Sequence, residues 1–339
     1  MTRHLLAFAA TALAILLLLA LNLLLGSVDI PSHAVAAILL GGESQSQVWT
    51  NILLKSRLPQ ALTAIAAGAG LSIAGLQMQT VFRNPLAGPT VLGISSGASL
   101  GVACVVLVSG TLGGVALSSI GIAGNVALTL AAILGSLAVM AVIIFVSQRV
   151  EGNVTLLIIG VMIGYVANAI IGVLKFFSVE EDIRAYVVWG LGSFARVSGD
   201  QLPLFLTLMV ILLPLSFLLV KTMNILLLGE RYARNLGLDV RRARLLVILS
   251  SGILTAIVTA YCGPIAFLGM AVPHLCRGLW RTSDHRLLMP ACLLMGALLA
   301  LLCNLIARLP GFEGALPVNS VTALIGAPVV VAVLLSRKK

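Results

Sequence analysis

Residues 75–101 read GLQMQTVFRNPLAGPTVLGISSGASLG and contain the break on which the rest of the fold depends. Two apolar runs are separated by the polar turn 83–89, whose two prolines lack a backbone N–H and prevent one helix from continuing through it. Gly93, Gly97 and Gly101 follow at helical spacing and are predicted to share one face of the second helix. Another helix backbone can approach such a bare face closely, as in membrane proteins. The stretch predicts a broken helix pair at a moving part or pathway wall inside a helical bundle.

The composition places the chain in a membrane. Of its 339 residues, 60% are hydrophobic and only 9% are charged, and the mean hydropathy is +1.14. Soluble domains carry roughly 25% charged residues, so the sequence predicts an integral membrane protein in contact with lipid. The net charge of +10 is typical of basic residues retained on the cytoplasmic side. No dense basic run or aromatic–basic interleaving indicates a nucleic-acid partner.

Apolar stretches that could cross the membrane recur along the whole chain. They are 5–25, 58–82, 91–109, 117–147, 154–175, 201–220, 244–262, a short one near 264–279, 287–307 and 317–336. The first is long and lacks a clear cleavage pattern, so it is predicted to be an uncleaved span. With both termini in the cytoplasm, most basic residues lie inside. The prediction is therefore one all-α transmembrane domain over 1–339 with about ten helices. Residues 176–200 are either a short interfacial helix, indicated by acids before an amphipathic run, or a plain loop.

The longest predicted cytoplasmic segment, 229–244, is called the knob below. Glu230 to Leu236 is predicted to form one short helix that ends at Gly237, the favoured residue just past a helix end. Asp239 can cap a second helix that leads into the next span. Two short helices at a sharp angle would make a rigid protrusion, whereas the alternative is an ordinary basic loop that anchors the topology.

No group in the sequence indicates catalysis or metal binding. The acidic residues lie in loops or at span ends, whereas proton-driven transporters rely on carboxylates or histidines inside the membrane. There is no phosphate-binding GxxxxGK[ST] loop, and the five cysteines lack CxxC spacing and are predicted to be small core residues. The chain is predicted to be neither an enzyme nor an ATP-binding protein. A stand-alone secondary transporter or channel is the alternative, because a broken helix would suit it.

Several motifs occur in a fixed order from end to end of the chain. They are Arg57-Leu58-Pro59, Arg83-Asn84-Pro85-Leu86-Ala87, Leu92-Gly93-Ile94-Ser95-Ser96-Gly97-Ala98, Leu228-Gly229-Glu230, Leu236-Gly237, Gly263-Pro264, Val272-Pro273-His274, Asp284-His285-Arg286, Leu316-Pro317 and Gly326-Ala327-Pro328. In these motifs the chain resembles the transmembrane subunits of the bacterial ABC importers for iron–siderophore complexes, haem and cobalamin.

This resemblance implies a permease in the bacterial inner membrane that works with other proteins. The implied partners are a second permease copy, two ATP-binding-cassette ATPase subunits and a periplasmic or lipid-anchored substrate-binding protein. ATP and Mg would bind the ATPase, and this chain would hold no cofactor and no metal. The implied cargo is an iron chelate, either a siderophore complex or haem, with cobalamin as the alternative.

The resemblance also implies roles for individual knob and pathway residues. Glu230, Ala233, Leu236 and Gly237 match the coupling helices, which sit in a groove of the ATPase. Asn84 and Leu86, together with Asn153 and Val154, match turns that narrow the pathway on the cytoplasmic side; a purely structural turn is the competing interpretation.

On the outer side, Arg57 and Arg308 match arginines that dock acidic residues of the binding protein. Gln60 stands where relatives have a further arginine, so docking would use fewer charge pairs unless Lys55 compensates. The alternative is that Arg57 and Arg308 reach to lipid headgroups. His274 and His285 are predicted to have structural or capping roles.

Overall fold

The computed structural model describes residues 2–42, 46–111, 122–150, 153–197, 199–309 and 315–336. All regular secondary structure in these ranges is helical, which confirms the predicted all-α class. The helices are α1 (Thr2–Leu24), α2 (Ser32–Leu39), α3 (Gln47–Ile52), α4 (Leu58–Phe82), α5 (Ile94–Thr111), α6 (Ile122–Arg149), α7 (Asn153–Phe177), α8 (Glu180–Gly190), α9 (Leu202–Phe217), α10 (Val220–Leu227), α11 (Glu230–Asn235), α12 (Val240–Cys262), α13 (Leu268–Trp280), α14 (His285–Ala307) and α15 (Val318–Ser336). A π-helical turn, Leu53–Arg57, joins α3 to α4, and 3₁₀ turns lie at Pro89–Leu92 and Phe194–Arg196.

Six of these helices are long and apolar enough to cross a membrane: α1, α4 with the preceding α3, α6, α7, α12 and α14. The predicted span 201–220 corresponds to a pair of helices, α9 and α10, bent by 46°. Of the other predicted stretches, α5 and α15 are shorter apolar helices, and α13 has 13 residues. The chain is thus a polytopic membrane protein, and the figure of ten crossings stays a prediction. The predicted start of the fourth stretch, 117–121, lies outside the described residues.

Helix α4 is the centre of the bundle and is buried along almost its whole length. Its most extensive packing is against α14, followed by α12 and α13. Glycines make these approaches possible, because a Cβ on Gly68 would lie 2.2 Å from the Gly296 carbonyl oxygen of α14. A Cβ on Gly75 would lie 1.7 Å from the Gly269 carbonyl oxygen of α13. The backbones of α4, α13 and α14 therefore touch where larger side chains would hold them apart.

The three glycines after the broken turn do not share one face, so that prediction is wrong. Gly97 and Gly101 lie in α5 and face the backbone of α6, where a Cβ on Gly101 would lie 2.1 Å from the Ala131 carbonyl oxygen. Gly93 precedes α5, has a φ of 74° and packs against Gly160 of α7. Its left-handed conformation, which favours glycine, turns it away from the helical register of the other two.

The helix ends fall into two groups at opposite ends of the bundle. At the end that carries α11, Thr80 Oγ1 of α4 lies 2.8 Å from His285 Nε2 of α14. At the opposite end, the Asn304 amide of α14 donates to Asn22 of α1 at 2.8 Å. The described residues of the segment 176–200 lie at this second end and contain helix α8, so the helical alternative holds for that segment.

Candidate functional site

The knob has the short helix that the sequence predicts. Helix α11 follows Gly229 and is followed by Gly237, with φ values of 102° and 80°, and the Asp239 side chain accepts a hydrogen bond from the Arg242 backbone at 3.1 Å. The expected second short helix is not separate, however. Asp239 caps α12, which runs unbroken to Cys262. The knob is therefore α11 attached to the first turns of a long transmembrane helix, because nothing between Val240 and Cys262 interrupts the helical run.

The knob has a small core and an internal ion pair that fix α11 on α12. Ala233 of α11 is fully buried in a cluster with Leu226, Val240 and Ala243. Arg244 Nη2 lies 2.6 Å from Glu230 Oε1, with the Arg244 side chain only 11% exposed. These contacts hold α11 against the first turns of α12.

The predicted coupling residues divide into an inner and an outer set. Ala233 and Glu230 are engaged inside the knob, whereas Leu236, at 62%, and Gly237 are exposed. Tyr232, which was not among the predicted residues, is 68% exposed beside them. A cavity of about 510 Å³ lies between the knob and the end of α6, lined by Ser147, Val150, Glu230, Arg234, Leu238, Asp239, Val240, Arg241 and Arg244. The outer set forms an apolar surface that a partner protein could cover.

The end of α4 contacts the knob directly. Arg83 ends α4 in a left-handed conformation with a φ of 48°. Its guanidinium lies over the start of α11, since a Cβ on Gly229 would be 3.5 Å from Arg83 Nη1. Asn84 follows immediately in sequence, so the knob and the predicted gate turn are connected through one residue.

The predicted gate turn, Asn84–Leu86, is a compact local structure. The Leu86 N–H donates to the Asn84 side chain at 2.9 Å and the Ala87 N–H donates to the Asn84 carbonyl at 3.1 Å, the pattern of an Asx turn. Leu86 is 40% exposed. From the neighbouring α13, His274 Nε2 lies 2.7 Å from the Pro85 carbonyl oxygen.

The second predicted gate position lies at the start of α7. Val154 is 68% exposed, and the Asn153 side chain lies outside the described part of the structure. Helix α7 packs against the Pro89–Leu92 turn, and a Cβ on Gly160 would lie 2.8 Å from the Leu92 Cα. The two predicted gate elements are thus linked through the segment that follows the broken helix.

Arg57 does not lie where the docking prediction requires it. Its side chain is 1% exposed and donates to the carbonyl oxygens of Leu23, at 2.8 Å, and of Leu24 and Val28. The Leu23 and Leu24 carbonyls belong to the last residues of α1, where the backbone acceptors need donors, and the Val28 carbonyl lies in the segment that follows the helix. Arg57 is therefore a side-chain cap of α1, and it cannot meet a partner carboxylate without breaking that cap.

Arg308 remains available at the same end of the bundle. It is partly exposed and lines a polar pocket of about 240 Å³ with Ser27, Ser56, Gln60, Ser193, Asn304 and other residues. Gly26 leaves room for two guanidinium groups, since a Cβ there would lie 2.9 Å from Arg57 Nη2 and 3.1 Å from Arg308 Nη2. Burial, followed by the positive charge of Arg57, lowers the pKa of Arg308. A carboxylate entering the pocket would relieve that repulsion.

Two residues that matter to this site, Arg244 and Arg83, were given no role from the sequence, and His274 was given only a structural or capping role. Arg244 pairs with Glu230 across the α11–α12 bend, Arg83 touches the knob, and His274 bonds to the gate turn. Each depends on contacts between separate elements. Arg83 and His274 stand in the quoted motifs Arg83-Asn84-Pro85-Leu86-Ala87 and Val272-Pro273-His274, but the motifs do not show which element each side chain contacts. Among the described residues, no group of three His, Cys, Asp or Glu side chains could hold a metal ion.

Comparisons with known proteins agree with this arrangement. The model of the FecCD transport family matches residues 13–336. The vitamin B12 import system permease protein of Citrobacter koseri is 36% identical over 287 residues, covering 84% of this chain and 82% of the relative. The protein of the same name from Klebsiella pneumoniae is 36% identical over 300 residues, covering 88% and 85%.

A solved structure has the same fold as this chain. This inward-facing conformation of a metal-chelate type ABC transporter superposes with a TM-score of 0.83 at 28% identity, covering 97% of this chain and 99% of its own. The knob and the broken helix both lie within residues 13–336, which the family model matches. The chain belongs to the FecCD transport family, as a permease subunit of an ABC importer.

Proposed function

We propose that two copies of this chain form the translocation pathway of an importer for a metal chelate in the bacterial inner membrane. Both termini and the knob lie in the cytoplasm, where two separate ATPase subunits bind ATP and Mg. The chain itself carries no cofactor and catalyses no reaction. A periplasmic or lipid-anchored protein delivers the cargo to the opposite end.

The observation that carries this proposal is the mechanical continuity from the knob to the gate turn. The knob is held together by the Glu230–Arg244 pair and a buried Ala233, and it touches Arg83, the residue before Asn84. An ATPase that binds the exposed Leu236 surface would move α11, α12 and the end of α4 together. Displacement of Leu86 would then open or close the pathway.

The exposed face of α7 supports the second copy. This helix buries one narrow side, including Leu156, Ala167 and Ile171, and exposes the rest, including Asn168 near its middle. An amide is unfavourable against hydrocarbon and in membrane proteins usually faces a partner helix or a water-filled cavity. A water-filled pathway between two copies, lined by both α7 helices, would give the Asn168 amide polar surroundings. Val154, at the start of the same helix, would then line the cytoplasmic end of that pathway.

The pocket beside Arg308 supports docking of a binding protein at the opposite end. Arg308 supplies one positive charge and Gln60 supplies a neutral amide where relatives have a second arginine. Lys55 is exposed nearby in sequence and can add a second charge. In this proposal Arg57 does not contact the binding protein. It contributes its positive charge near the pocket and caps the end of α1.

Two cargo classes are consistent with the proposal, and the similar proteins favour one of them. The motifs that the chain shares with this kind of importer fit an iron chelate, as a siderophore complex or haem, and fit cobalamin equally. The relatives at 36% identity are named as vitamin B12 permeases, which favours cobalamin. Uptake of labelled cobalamin and of a labelled ferric siderophore, each in competition with the other and with haem, would decide between them.

The experiment that tests the proposal is uptake by proteoliposomes with the cognate ATPase and binding protein. Glu230→Lys should remove the Arg244 pair, and Gly237→Pro should block the positive φ that ends α11. Both variants should insert normally and lose ATP-driven uptake. Gly278→Ala is a matched control, because nothing lies within 4 Å of a Cβ at that glycine. Normal uptake by both knob variants would contradict the coupling role.

A further inference from the structure

Helix α13 is fastened to the second half of α4 by three contacts at successive levels. Gly269 lies against Gly75, as described above. The Gln79 side chain then donates to the Met270 carbonyl at 3.1 Å. Arg277 Nη1 donates to the Gln79 side-chain oxygen at 2.5 Å. The two helices are therefore held together along the stretch from the middle of the bundle to the end of α4.

His274 extends this attachment beyond the end of α4. It lies on α13 between Met270 and Arg277, is 4% exposed, and places Nε2 at 2.7 Å from the Pro85 carbonyl oxygen. A carbonyl oxygen can only accept, so Nε2 carries the proton in this hydrogen bond. The imidazole thus donates to the apex of the turn that connects α4 to the Pro89–Leu92 segment.

Residues 83–87 have few other polar contacts with neighbouring elements, although Ala87 is buried in the main core. In the described part of the chain, their other hydrogen bonds are local, from Arg83 to Thr80 and within Asn84–Ala87. Arg83 and Leu86 are exposed. Pro85 has no N–H of its own to offer a neighbouring element. The bond from His274 is therefore the polar contact that ties the apex of this turn to another helix.

We propose that His274 is a positioning residue that holds the Asn84–Leu86 turn on α13, so that the turn follows α13 when the helices tilt. Its importance for transport rests on the proposed function, in which this turn gates the pathway. The turn thus has two attachments: the His274 hydrogen bond holds it to α13, and Arg83 connects it to the knob. Loss of the bond would leave the turn attached to the knob but free to leave α13.

The test measures how accessible Leu86 is in the purified permease, without ATPase, binding protein or cargo. Leu86→Cys is placed in a Cys104→Ser background, because the other four cysteines are buried, and its reaction rate with a water-soluble maleimide is measured. His274→Leu and His274→Met remove the donor, and His274→Gln keeps an amide donor near the Nε2 position. Methionine fits irregular space and serves if the leucine variant does not fold.

The donor-free variants should react about tenfold faster than the parent, the order of one net hydrogen bond, and His274→Gln should restore the parent rate to within about twofold. His285→Leu is the matched control, since His285 is equally buried at the same end but bonds to Thr80 and Asn224. It should lower the melting temperature and leave the labelling rate unchanged.

Equal rates in the parent and in the donor-free variants would overturn the proposal. Fast labelling in His274→Gln would also overturn it, because the imidazole would then act by packing alone, and fast labelling in His285→Leu would indicate general loosening. Because no transport is measured, failure here is distinct from failure of the proposed function, which the uptake assay detects.

Discussion

Arg244 in the first turns of α12 lies 2.6 Å from the Glu230 carboxylate at the start of α11. The pair spans the bend between the two helices and closes the knob on itself. Ala233 of α11 is also buried against Val240 and Ala243 of α12. These contacts leave α11 little freedom to move without α12. This relationship makes the knob suited to passing a displacement into a transmembrane helix.

Separating the Glu230–Arg244 pair should therefore reduce coupling more than it reduces stability. Arg244→Glu alone would place two carboxylates together, and ATP-driven uptake should fall about tenfold, the order that loss of a partly buried charge-assisted hydrogen bond represents. The double variant Glu230→Arg with Arg244→Glu should recover part of that loss. The measurement is the uptake per ATP hydrolysed. If the double variant recovered none of the lost uptake, the Glu230–Arg244 ion pair would not be what couples the knob to transport.

The Gly75–Gly269 contact should be the most sensitive packing point of the central helix. A Cβ at Gly75 would lie 1.7 Å from a backbone oxygen, and the helices would have to separate. Gly75→Ala should lower the melting temperature in detergent, with a loss of about 1–3 kcal/mol, the range for overpacking. Gly278→Ala, in open space on α13, should be neutral or slightly stabilising because alanine favours helix. Similar melting temperatures for both variants would contradict the close crossing.

Asp284 should make stability depend on pH in the acidic range. The Arg286 N–H, followed by the Asn224 amide, lowers the pKa of the Asp284 carboxyl below its ordinary value of 3.8. Because the folded-state pKa is lowered, its contribution is present above the unfolded pKa and is lost as the pH falls through the folded value. Asn caps a helix about as well as Asp, so Asp284→Asn should match the parent near pH 7 and lose less stability on acidification. Melting temperatures measured from about pH 7 down to acidic pH below the ordinary pKa of 3.8 follow this loss, and an equal loss in Asp284→Asn and the parent would contradict the prediction.

At the opposite end, Arg308 and Arg57 should give different phenotypes despite their proximity. Arg308→Gln should weaken binding of the substrate-binding protein by about tenfold, because a partner carboxylate would lose its charged donor. It should also reduce the dependence of that affinity on salt. Arg57→Gln should instead lower the melting temperature, since two carbonyls at the end of α1 and the Val28 carbonyl beyond it would lose their donor. Binding measured in nanodiscs at two salt concentrations, with thermal unfolding of each variant, separates the two effects.

Features set by local sequence could be predicted, and features set by contacts between helices could not. Gly237 and Asp239 sit at fixed positions relative to α11 and α12, so the end of one helix and the start of the next follow from capping rules. Most of the transmembrane helices are likewise predicted from local sequence, because each contains an apolar run long enough to cross a membrane. Arg57 has the residue type of a docking group, but its burial depends on where the end of α1 lies.

The glycines after the broken helix illustrate the same limit. Gly93, Gly97 and Gly101 have helical spacing, yet the positive φ of Gly93 places it outside α5. The continuity of α12 from the knob into the bundle was missed because a cap after Gly237 says where a helix begins and not how far it runs. The Glu230–Arg244 and His274–Pro85 contacts join residues far apart in sequence, and no local pattern reports such pairs.

The central claim is that this chain is a passive pathway driven by ATP hydrolysis in separate subunits through the knob. The most direct measurement is cargo uptake by proteoliposomes that hold the permease alone under an imposed ion gradient, or the permease with its ATPase, binding protein and ATP. We predict uptake only in the complete system with ATP, and its loss on Glu230→Lys. Gradient-driven uptake by the permease alone would contradict the account and favour a secondary transporter.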